Sequence, residues 1–234
     1  MSGKKFIFAL LGFLLLGSGL AVAYPVNATV DATYDYGRWA AVGPTGNFTT
    51  EGGNISEVNI TAATQLTDRW AGLFGNITAT EIVLKEELDS AGVHLYNWSA
   101  ILDGEICVSI ATNFDFSQIK ETTKDELKVF WNFGAVADNV TETFTGSNCS
   151  LVFTDINATD TDNADYIDHM GSSSFWTCVF EDTTTGPESQ ADFAFCTEIN
   201  NSGTNYKGNG VDYELMVPTD TGTTETYYFY VEIN

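Results

Sequence analysis

The stretch "TCVFEDTTTGPESQADFAFCTE", residues 177–198, contains two short apolar runs separated by a loop rich in Thr, Gly and Pro. Runs of aromatic and β-branched residues bounded by turn residues are typical of β-strands. Because side chains alternate between the faces of a strand, Cys178 shares a face with Phe180, and Cys196 shares one with Ala194. The stretch therefore predicts two strands that each carry one cysteine.

Similar short runs occur along the rest of the chain, with Gly, Asn, Asp and Thr between them. Many short strands separated by turns indicate an all-β protein, and we expect a β-sandwich of the Ig-like or jelly-roll-like kind. The predicted strands beyond the opening stretch are "SEVNITAAT", "EIVLKEE", "GVHLYNWSA", "EICVSIAT", "SLVFTDI", "DYELMVP" and "TYYFYVEI".

One short helix is predicted within this β-rich pattern. Thr123 and Glu126 have the spacing of a capping box, in which each side chain binds the backbone N–H of the other residue. The apolar residues Leu127, Val129 and Trp131 follow the box. We expect this helix to end at Gly134.

Residues 1–23 have the features of a secretory signal peptide. Lys4 and Lys5 precede an apolar run that closes on Ala21-Val22-Ala23, the small-residue pattern of a cleavage site. The alternative is an uncleaved membrane anchor. We expect cleavage after Ala23 and an extracellular mature chain with no stable membrane span. The mature chain is then expected to consist of an N-terminal strand or arm (24–36), a connector (37–53) and a β-sandwich domain (54–234).

The N-terminal segment has the most regular alternation in the chain. Its apolar positions alternate with Asn, Asp and Thr over nine residues, which predicts a strand with one buried face. The strand could form an edge of its own domain, or it could be donated to the sheet of another copy. The apolar residues of this candidate donor strand are Val26, Ala28, Val30, Ala32 and Tyr34.

The four cysteines, Cys107, Cys149, Cys178 and Cys196, predict two disulfides, because an even number of cysteines in a secreted chain is typical of a disulfide framework. Three pairings are possible. A cross-strand bridge between Cys178 and Cys196 would leave Cys107 to pair with Cys149, and this is the pairing that we expect.

Asparagine occurs in N-x-[ST] sequons far more often than the composition predicts by chance. Such sequons accept N-linked glycans in secreted proteins, so we expect a densely glycosylated surface. The ten sequons begin at Asn27, Asn47, Asn54, Asn59, Asn76, Asn97, Asn139, Asn148, Asn157 and Asn200.

The chain is strongly acidic, with 32 Asp and Glu residues against nine Lys and Arg, and a formal net charge of −23. Such a surface repels nucleic acids, so we expect no nucleic-acid partner. Asp160, Asp162 and Asp165 approximate the start of a calcium loop, since Ca²⁺ requires several converging oxygen ligands. The alternative is a solvated acidic loop; apart from a possible Ca²⁺ ion and covalent N-glycans, we expect no cofactor.

The sequence offers little support for an enzyme. His94 and His169 are the only histidines, and the chain contains neither the G-x-S-x-G elbow of a hydrolase nor a phosphate-binding loop. Acidic pairs could serve a glycosidase, but 32 acids produce many such pairs by chance. We expect a protein without catalytic activity.

The segment "DRWAGLFGN" (68–76) begins a series of motifs that continues with "LYNWS" (95–99), "ADNVTETF" (137–144), "DYELMVP" (212–218) and "TYYFYVEI" (226–233). In this order the motifs resemble a family of secreted, largely uncharacterised archaeal surface proteins. The resemblance covers about residues 51–234 and implies an archaeal envelope or extracellular protein, but no established activity. Gly72 and Gly75 within the first motif predict a tight apolar corner packed under Trp70.

The overall organisation is similar to that of subunits of archaeal extracellular threads and bundling pili, in which a terminal strand of one subunit completes the sheet of the next. This resemblance implies a structural subunit that assembles head-to-tail with identical copies into an extracellular filament, and it leaves open whether the filament serves adhesion, biofilm formation or contact between cells. The alternative is a monomeric cell-surface binding module, either a calcium-assisted adhesin or a carbohydrate binder. A secreted hydrolase is a third and weaker hypothesis.

Overall fold

The computed structural model describes residues 26–28, 30, 51–52, 57, 67–78, 103–149, 151, 164–169, 174–183, 185–220 and 224–233. The described chain is mostly β-sheet, with two short α-helices and two 3₁₀ turns, which confirms the all-β prediction. The strands are β1 (Val26–Asn27), β2 (Trp70–Gly75), β3 (Gly104–Ser109), β4 (Lys120–Glu121), β5 (Tyr166–Asp168), β6 (Trp176–Glu181), β7 (Phe193–Glu198), β8 (Tyr213–Pro218) and β9 (Tyr228–Ile233).

The strands form two antiparallel sheets of unequal size, as in a sandwich. The larger sheet has the order β1-β9-β3-β7-β6, and both β4 and β5 pair with the outer side of β6. The smaller sheet is the pair β2–β8. The predicted strands at "EICVSIAT", "FWTCVFED", "ADFAFCTEI", "DYELMVP" and "TYYFYVEI" contain β3, β6, β7, β8 and β9, while the other predicted strands lie largely or wholly outside the described residues.

The centre of the larger sheet is covered on both faces. Every residue of β3 is buried, and so is β7 up to Thr197. Successive side chains of these strands point to opposite faces and enter two separate apolar clusters. One cluster packs against the β2–β8 sheet and the helices, and it includes Val108, Val179 and Phe195. The other contains Phe116, Phe180 and both disulfides.

The two disulfides confirm that all four cysteines are paired, but the predicted pairing is wrong. Cys107 is bonded to Cys196, and Cys149 is bonded to Cys178. Cys178 and Cys196 are opposite each other in register, as the sequence suggested. Cys196 is also opposite Cys107 on its other side, because β7 lies between β3 and β6. The order of strands in the sheet, which local patterning does not determine, therefore gives Cys196 a second neighbour, to which it is bonded.

The predicted helix is present as α1 (Lys124–Phe130), and its capping box between Thr123 and Glu126 is confirmed. The helix ends before Gly134, because Trp131 is already its C-cap. Leu127 and Trp131 are four residues apart on one helical face and are fully buried. Val129 lies on the other side of the helix and is 69% exposed.

The segment around Trp70 forms strand β2 rather than the predicted tight corner. All six of its residues pair with β8, from Trp70 opposite Pro218 to Gly75 opposite Tyr213. The Trp70 indole N–H donates to the carbonyl of Asp138 at 2.8 Å, next to helix α2 (Val140–Thr143). Three of the motifs that carry the archaeal resemblance, 68–76, 137–144 and 212–218, therefore lie together in the folded chain.

A buried hydroxyl group on the larger sheet binds a strand of the smaller sheet. Thr177 on β6 is fully buried, and its Oγ1 accepts a hydrogen bond from the backbone N–H of Met216 on β8 at 2.8 Å. The same oxygen lies 2.8 Å from Nε2 of His169, which is also buried. Buried polar groups that lose their partners cost more free energy than the hydrogen bond itself contributes. The hydroxyl therefore stabilises the stacking of the β2–β8 sheet on the larger sheet.

Replacing Thr177 with valine keeps the shape of the side chain but removes this hydroxyl. We expect Thr177→Val to lower the free energy of unfolding by about 2–4 kcal/mol, because a backbone N–H and an imidazole nitrogen each lose their partner. Equilibrium denaturant unfolding measures this change.

Thr197 on the adjacent strand β7 provides a matched control. It is also fully buried, but no hydrogen-bond partner of its hydroxyl is found in the described structure. Thr197→Val should be neutral or stabilising, since it removes an unsatisfied polar group. Equal destabilisation by the two substitutions would contradict the role assigned to Thr177.

Candidate functional site: the β1–β9 edge and the buried polar groups

The N-terminal strand lies at one edge of the larger sheet, against the last strand of the same chain. Val26 is opposite Val231, and Asn27 is opposite Tyr230. The backbone N–H of Ala28 extends this ladder by donating to the carbonyl of Phe229 at 2.8 Å. The strand thus forms an edge of its own domain, which is the alternative to donation given above. The contacts described span three consecutive residues of the N-terminal segment.

The predicted buried face of the N-terminal strand is only partly present. Ala28 is half-buried, but Val30 is 53% exposed, so its assignment to a buried face does not hold in the single chain. Ala32 and Tyr34 lie outside the described residues. The two ends of β9 also expose apolar side chains, Tyr228 at 41% and Ile233 at 39%. The edge therefore keeps apolar surface that this chain leaves open to solvent.

Three glutamates lie side by side next to this edge. Glu105 on β3 is opposite Glu232 on β9 and also opposite Glu198 on β7. Glu105 and Glu232 are buried, whereas Glu198 is exposed. Like charges directly opposite each other on neighbouring strands repel, so this glutamate row opposes pairing when its members are ionised.

The structure reduces this repulsion by keeping a proton on Glu105. Burial, together with the nearby carboxylates of Glu232, Asp103 and Glu198, raises the pKa of Glu105 to about 8. Oε2 of Glu105 has no hydrogen-bond partner among the described residues. The group is therefore mostly protonated at neutral pH.

At the opposite side of the sheet, the buried acid has a cationic partner. Glu181 on β6 is buried, and its carboxylate lies 2.6 Å from Nζ of Lys120 on β4. The hydroxyl of Thr122 donates to the same carboxylate at 3.1 Å. An ion pair and a hydrogen bond thus satisfy the charge at one edge, while the glutamate row remains electrostatically unfavourable at the edge that holds β1.

A hydroxyl, an imidazole and a carboxylate meet between the sheets, as in a hydrolase triad, but the arrangement is structural. Nε2 of His169 contacts Thr177, and its Nδ1 lies 3.7 Å from Oε1 of Glu214. Burial lowers the pKa of His169 to about 4, so the ring is neutral and does not form an ion pair with Glu214. Thr177 is fully buried and already accepts the Met216 N–H, so substrate cannot reach its oxygen.

The described residues include one of the three aspartates of the calcium hypothesis, Asp165. Oδ2 of Asp165 accepts the backbone N–H of Lys124 at 2.8 Å, and so binds the first turn of α1. Asp160 and Asp162 lie outside the described residues. In the part of the chain that the structure describes, no group of three or more His, Cys, Asp and Glu side chains is arranged to hold a metal ion.

The sequons fall into different structural settings. Asn76 and Asn148 are exposed, as an accepting side chain must be, whereas Asn139 and Asn200 are half-buried. Asn139 is the N-cap of α2; its Oδ1 accepts from the backbone N–H of Glu142 at 3.0 Å, and its Nδ2 donates to the carbonyl of Val136. Asn27 lies in β1, and the remaining sequons, Asn47, Asn54, Asn59, Asn97 and Asn157, lie outside the described residues.

A shallow depression of about 290 Å³ lies between the end of α1 and the start of α2. Lys128, Phe133 and Thr141 are among its lining residues, which include no acid and no histidine. The indole of Trp131 also contributes to it but is only 1% exposed, so it does not present a face on which a sugar could stack. The residues that line the depression therefore include no acid–base pair for catalysis.

The chain matches no model of a protein family, and no curated protein and no solved structure shows a significant similarity to it. Among the described residues, no helix is both long enough and apolar enough to cross a membrane.

Sequence reasoning missed the glutamate row, although a signal for it was present. Glu105 and Glu198 each lie two residues from a cysteine, at Cys107 and Cys196, and therefore share the face of that cysteine. Once the two cysteines are known to be opposite each other, the glutamates must be opposite as well. Glu232 has the same spacing from Tyr230, which is opposite Cys107.

The raised pKa of Glu105 predicts a pH-dependent stability. The folded state retains a proton that the unfolded state releases above about pH 4.5, so this contribution to stability is complete below pH 4.5 and is lost as the pH rises towards 8. We expect Glu105→Gln to unfold at a higher denaturant concentration than the wild type at pH 8 and to remove much of the decline between pH 5 and 8.

Glu198→Gln is the control for this experiment, because Glu198 is an exposed member of the same row. It should change the pH profile much less, since exposed charges are screened by solvent. A Glu105→Gln profile that follows the wild type would show that Glu105 does not hold the proton.

Proposed function

We propose that this chain is a structural subunit of an extracellular filament, which assembles head-to-tail through its N-terminal strand. The observation that carries the proposal is the placement of β1 on the outer edge of β9. It is a terminal segment that pairs with the sheet through the backbone and leaves apolar side chains at the same edge exposed.

The contact made within one chain can also form between two chains. Exchange of an identical element between copies replaces each contact with its equivalent, so it costs little free energy when the connecting segment allows it. The connector 37–53 contains Gly43, Pro44, Gly46, Gly52 and Gly53, a composition that favours turns and flexible links. Because each copy would give its strand to the next and receive one at a different surface, the contact would not close and would form a filament.

Exchange would also bury apolar surface that the single chain exposes. Val30 lies just after β1, and Tyr228 begins β9. In a filament, Val30 of the donated segment and Tyr228 of the receiving strand would both lie at the junction of two copies, where the neighbouring body could cover them, while backbone hydrogen bonds provide affinity. An open sheet edge is otherwise a site for unspecific aggregation.

Several features support an extracellular location and a structural role. The predicted signal peptide would direct the chain out of the cell, and two disulfides are typical of proteins that fold in an oxidising environment. The ten sequons favour a surface coated with N-glycans. The cluster of Thr177, His169 and Glu214 is buried between the sheets, and the depression between α1 and α2 is lined by no acid and no histidine. Both observations support a role other than catalysis.

A monomeric cell-surface module is the alternative, and one observation favours it: β1 is paired within its own chain. Under this alternative, the strand only closes the edge of its own sheet. The two functions differ in whether β1 remains with its own body or moves to another copy.

Blocking the backbone of the N-terminal strand should separate these alternatives. Ala28→Pro removes the N–H that donates to Phe229, while Ala28→Ser keeps it. We expect the mature chain (24–234) and its Ala28→Ser variant to form filaments visible by negative-stain microscopy. The Ala28→Pro variant should remain a folded monomer by light scattering and circular dichroism.

Salt provides a second measurement of the same assembly. Without Lys4 and Lys5, the mature chain has seven basic residues against 32 acids, a net charge of −25, so identical subunits repel each other, and salt screens this repulsion. Assembly should therefore increase between low and physiological ionic strength. A mature wild-type chain that stays monomeric at all salt concentrations would contradict the filament proposal and favour the monomeric module.

A further inference from the structure

Among the described sequons, the asparagine at position 148 has the most distinctive surroundings. Asn148 is exposed and adopts a left-handed backbone conformation with φ of 71°, which asparagine tolerates better than most residues. Its Nδ2 makes a long contact of 3.5 Å with the hydroxyl of Ser147. The atom that would carry a glycan therefore faces solvent.

The backbone on both sides of Asn148 is firmly held. Gly146 exchanges two backbone hydrogen bonds with Tyr166 of β5, at 3.1 and 3.0 Å. Cys149 donates to the carbonyl of Ala164 at 3.0 Å and is bonded to Cys178 of β6. A sugar attached at position 148 would thus start from a fixed point on the surface.

An aromatic shelf lies directly beside this point. The rings of Tyr166 and Trp176 are half-buried, with centroids 6.3 Å apart, and together with Asn148 and Cys149 they line a depression of about 80 Å³. The shelf depends on Gly146, since a Cβ at that position would approach Cζ of Tyr166 to 2.1 Å. The glycine therefore leaves room for the ring of Tyr166 to lie against the backbone next to the asparagine.

We propose that Asn148 carries an N-linked glycan whose first sugar packs its apolar face on the Tyr166–Trp176 shelf. A pyranose ring presents a face of C–H groups, which suits the negative face of an aromatic ring, and the depression accepts one edge of the sugar. The inference deepens the proposed glycoprotein character, but it does not depend on filament assembly.

The other described sequons show why position 148 differs. Glycosylation of Asn139 would add a sugar to an atom that donates to Val136 within the cap of α2. Oδ1 of Asn200 accepts from the backbone N–H of Ser202, which fixes its sequon in a turn. Asn76 is exposed, so it can accept a glycan and can serve as the comparison without the shelf.

The test compares sequon variants of the full protein secreted from its native cells. Ser150→Ala and Thr78→Ala abolish the sequons at Asn148 and Asn76 while both asparagines remain, so the left-handed backbone at 148 is unchanged. Glycopeptide mass spectrometry should find Asn148 occupied in the wild type and Asn139 unoccupied. Ser150→Ala should lower the melting temperature by about 2–4 °C, and Thr78→Ala should lower it by less.

A double-mutant cycle measures the contact between the sugar and the Tyr166–Trp176 shelf even if the Tyr166→Ala substitution itself lowers the stability of the fold. The effect of Ser150→Ala is measured in the wild type and in Tyr166→Ala, and the difference isolates the contact between sugar and ring. We expect the effect to disappear in the Tyr166→Ala background. An unmodified Asn148, or the same temperature shift in both backgrounds, would overturn the inference. Microscopy of the same variants reports filament formation separately.

Discussion

The structure depends on the fact that β3 and β7 are buried on both faces, so each face must be covered by another part of the chain. The β2–β8 sheet and α1 cover one face, and the buried hydroxyl of Thr177 holds that layer in register with the larger sheet. Loops cover the other face, where Cys149 joins the loop after α2 to β6. The bridge between Cys107 and Cys196 spans 89 residues, and by the chain-entropy argument such a loop contributes about 4–5 kcal/mol.

The two edges of the larger sheet have different electrostatic properties. At one edge, short strands and the Lys120–Glu181 ion pair leave the buried charge satisfied. At the other edge, β1 adds to β9 beside a row of glutamates, where Glu105 retains a proton because burial disfavours its charge. Unfavourable polar groups are often kept where a structure must rearrange or bind. This contrast is why we associate function with the β1–β9 edge.

Local features of the fold could be predicted from the sequence, and long-range features could not. The capping box at Thr123 and the strands at Cys178 and Cys196 depend on neighbouring residues, and both predictions are confirmed. The disulfide pairing depends on the order of strands, which placed Cys107 beside Cys196. Gly72 and Gly75 suggested a corner, but pairing with β8 made the segment a strand.

The candidate site was predictable to a similar extent. Alternation identified the N-terminal segment as a strand, and β1 confirms this at Val26–Asn27. The glutamate row and the cluster of His169, Thr177 and Glu214 bring together residues from separate strands, so only the folded chain reveals them. Exposure of Val30 also follows from tertiary structure, since its pattern alone predicted burial.

The central proposal is that, in the assembled filament, the β1 strand that pairs with β9 within a single chain is supplied instead by another copy. Isotope-mixed photo-cross-linking tests it most directly. A photoreactive phenylalanine analogue replaces Val30, and equal amounts of unlabelled and heavy-nitrogen chains are assembled together before irradiation. If strands are exchanged, cross-links between position 30 and β9 should join light and heavy peptides as often as peptides of equal mass. Cross-links found solely between peptides of equal mass would show that each strand stays with its own sheet and would contradict the claim.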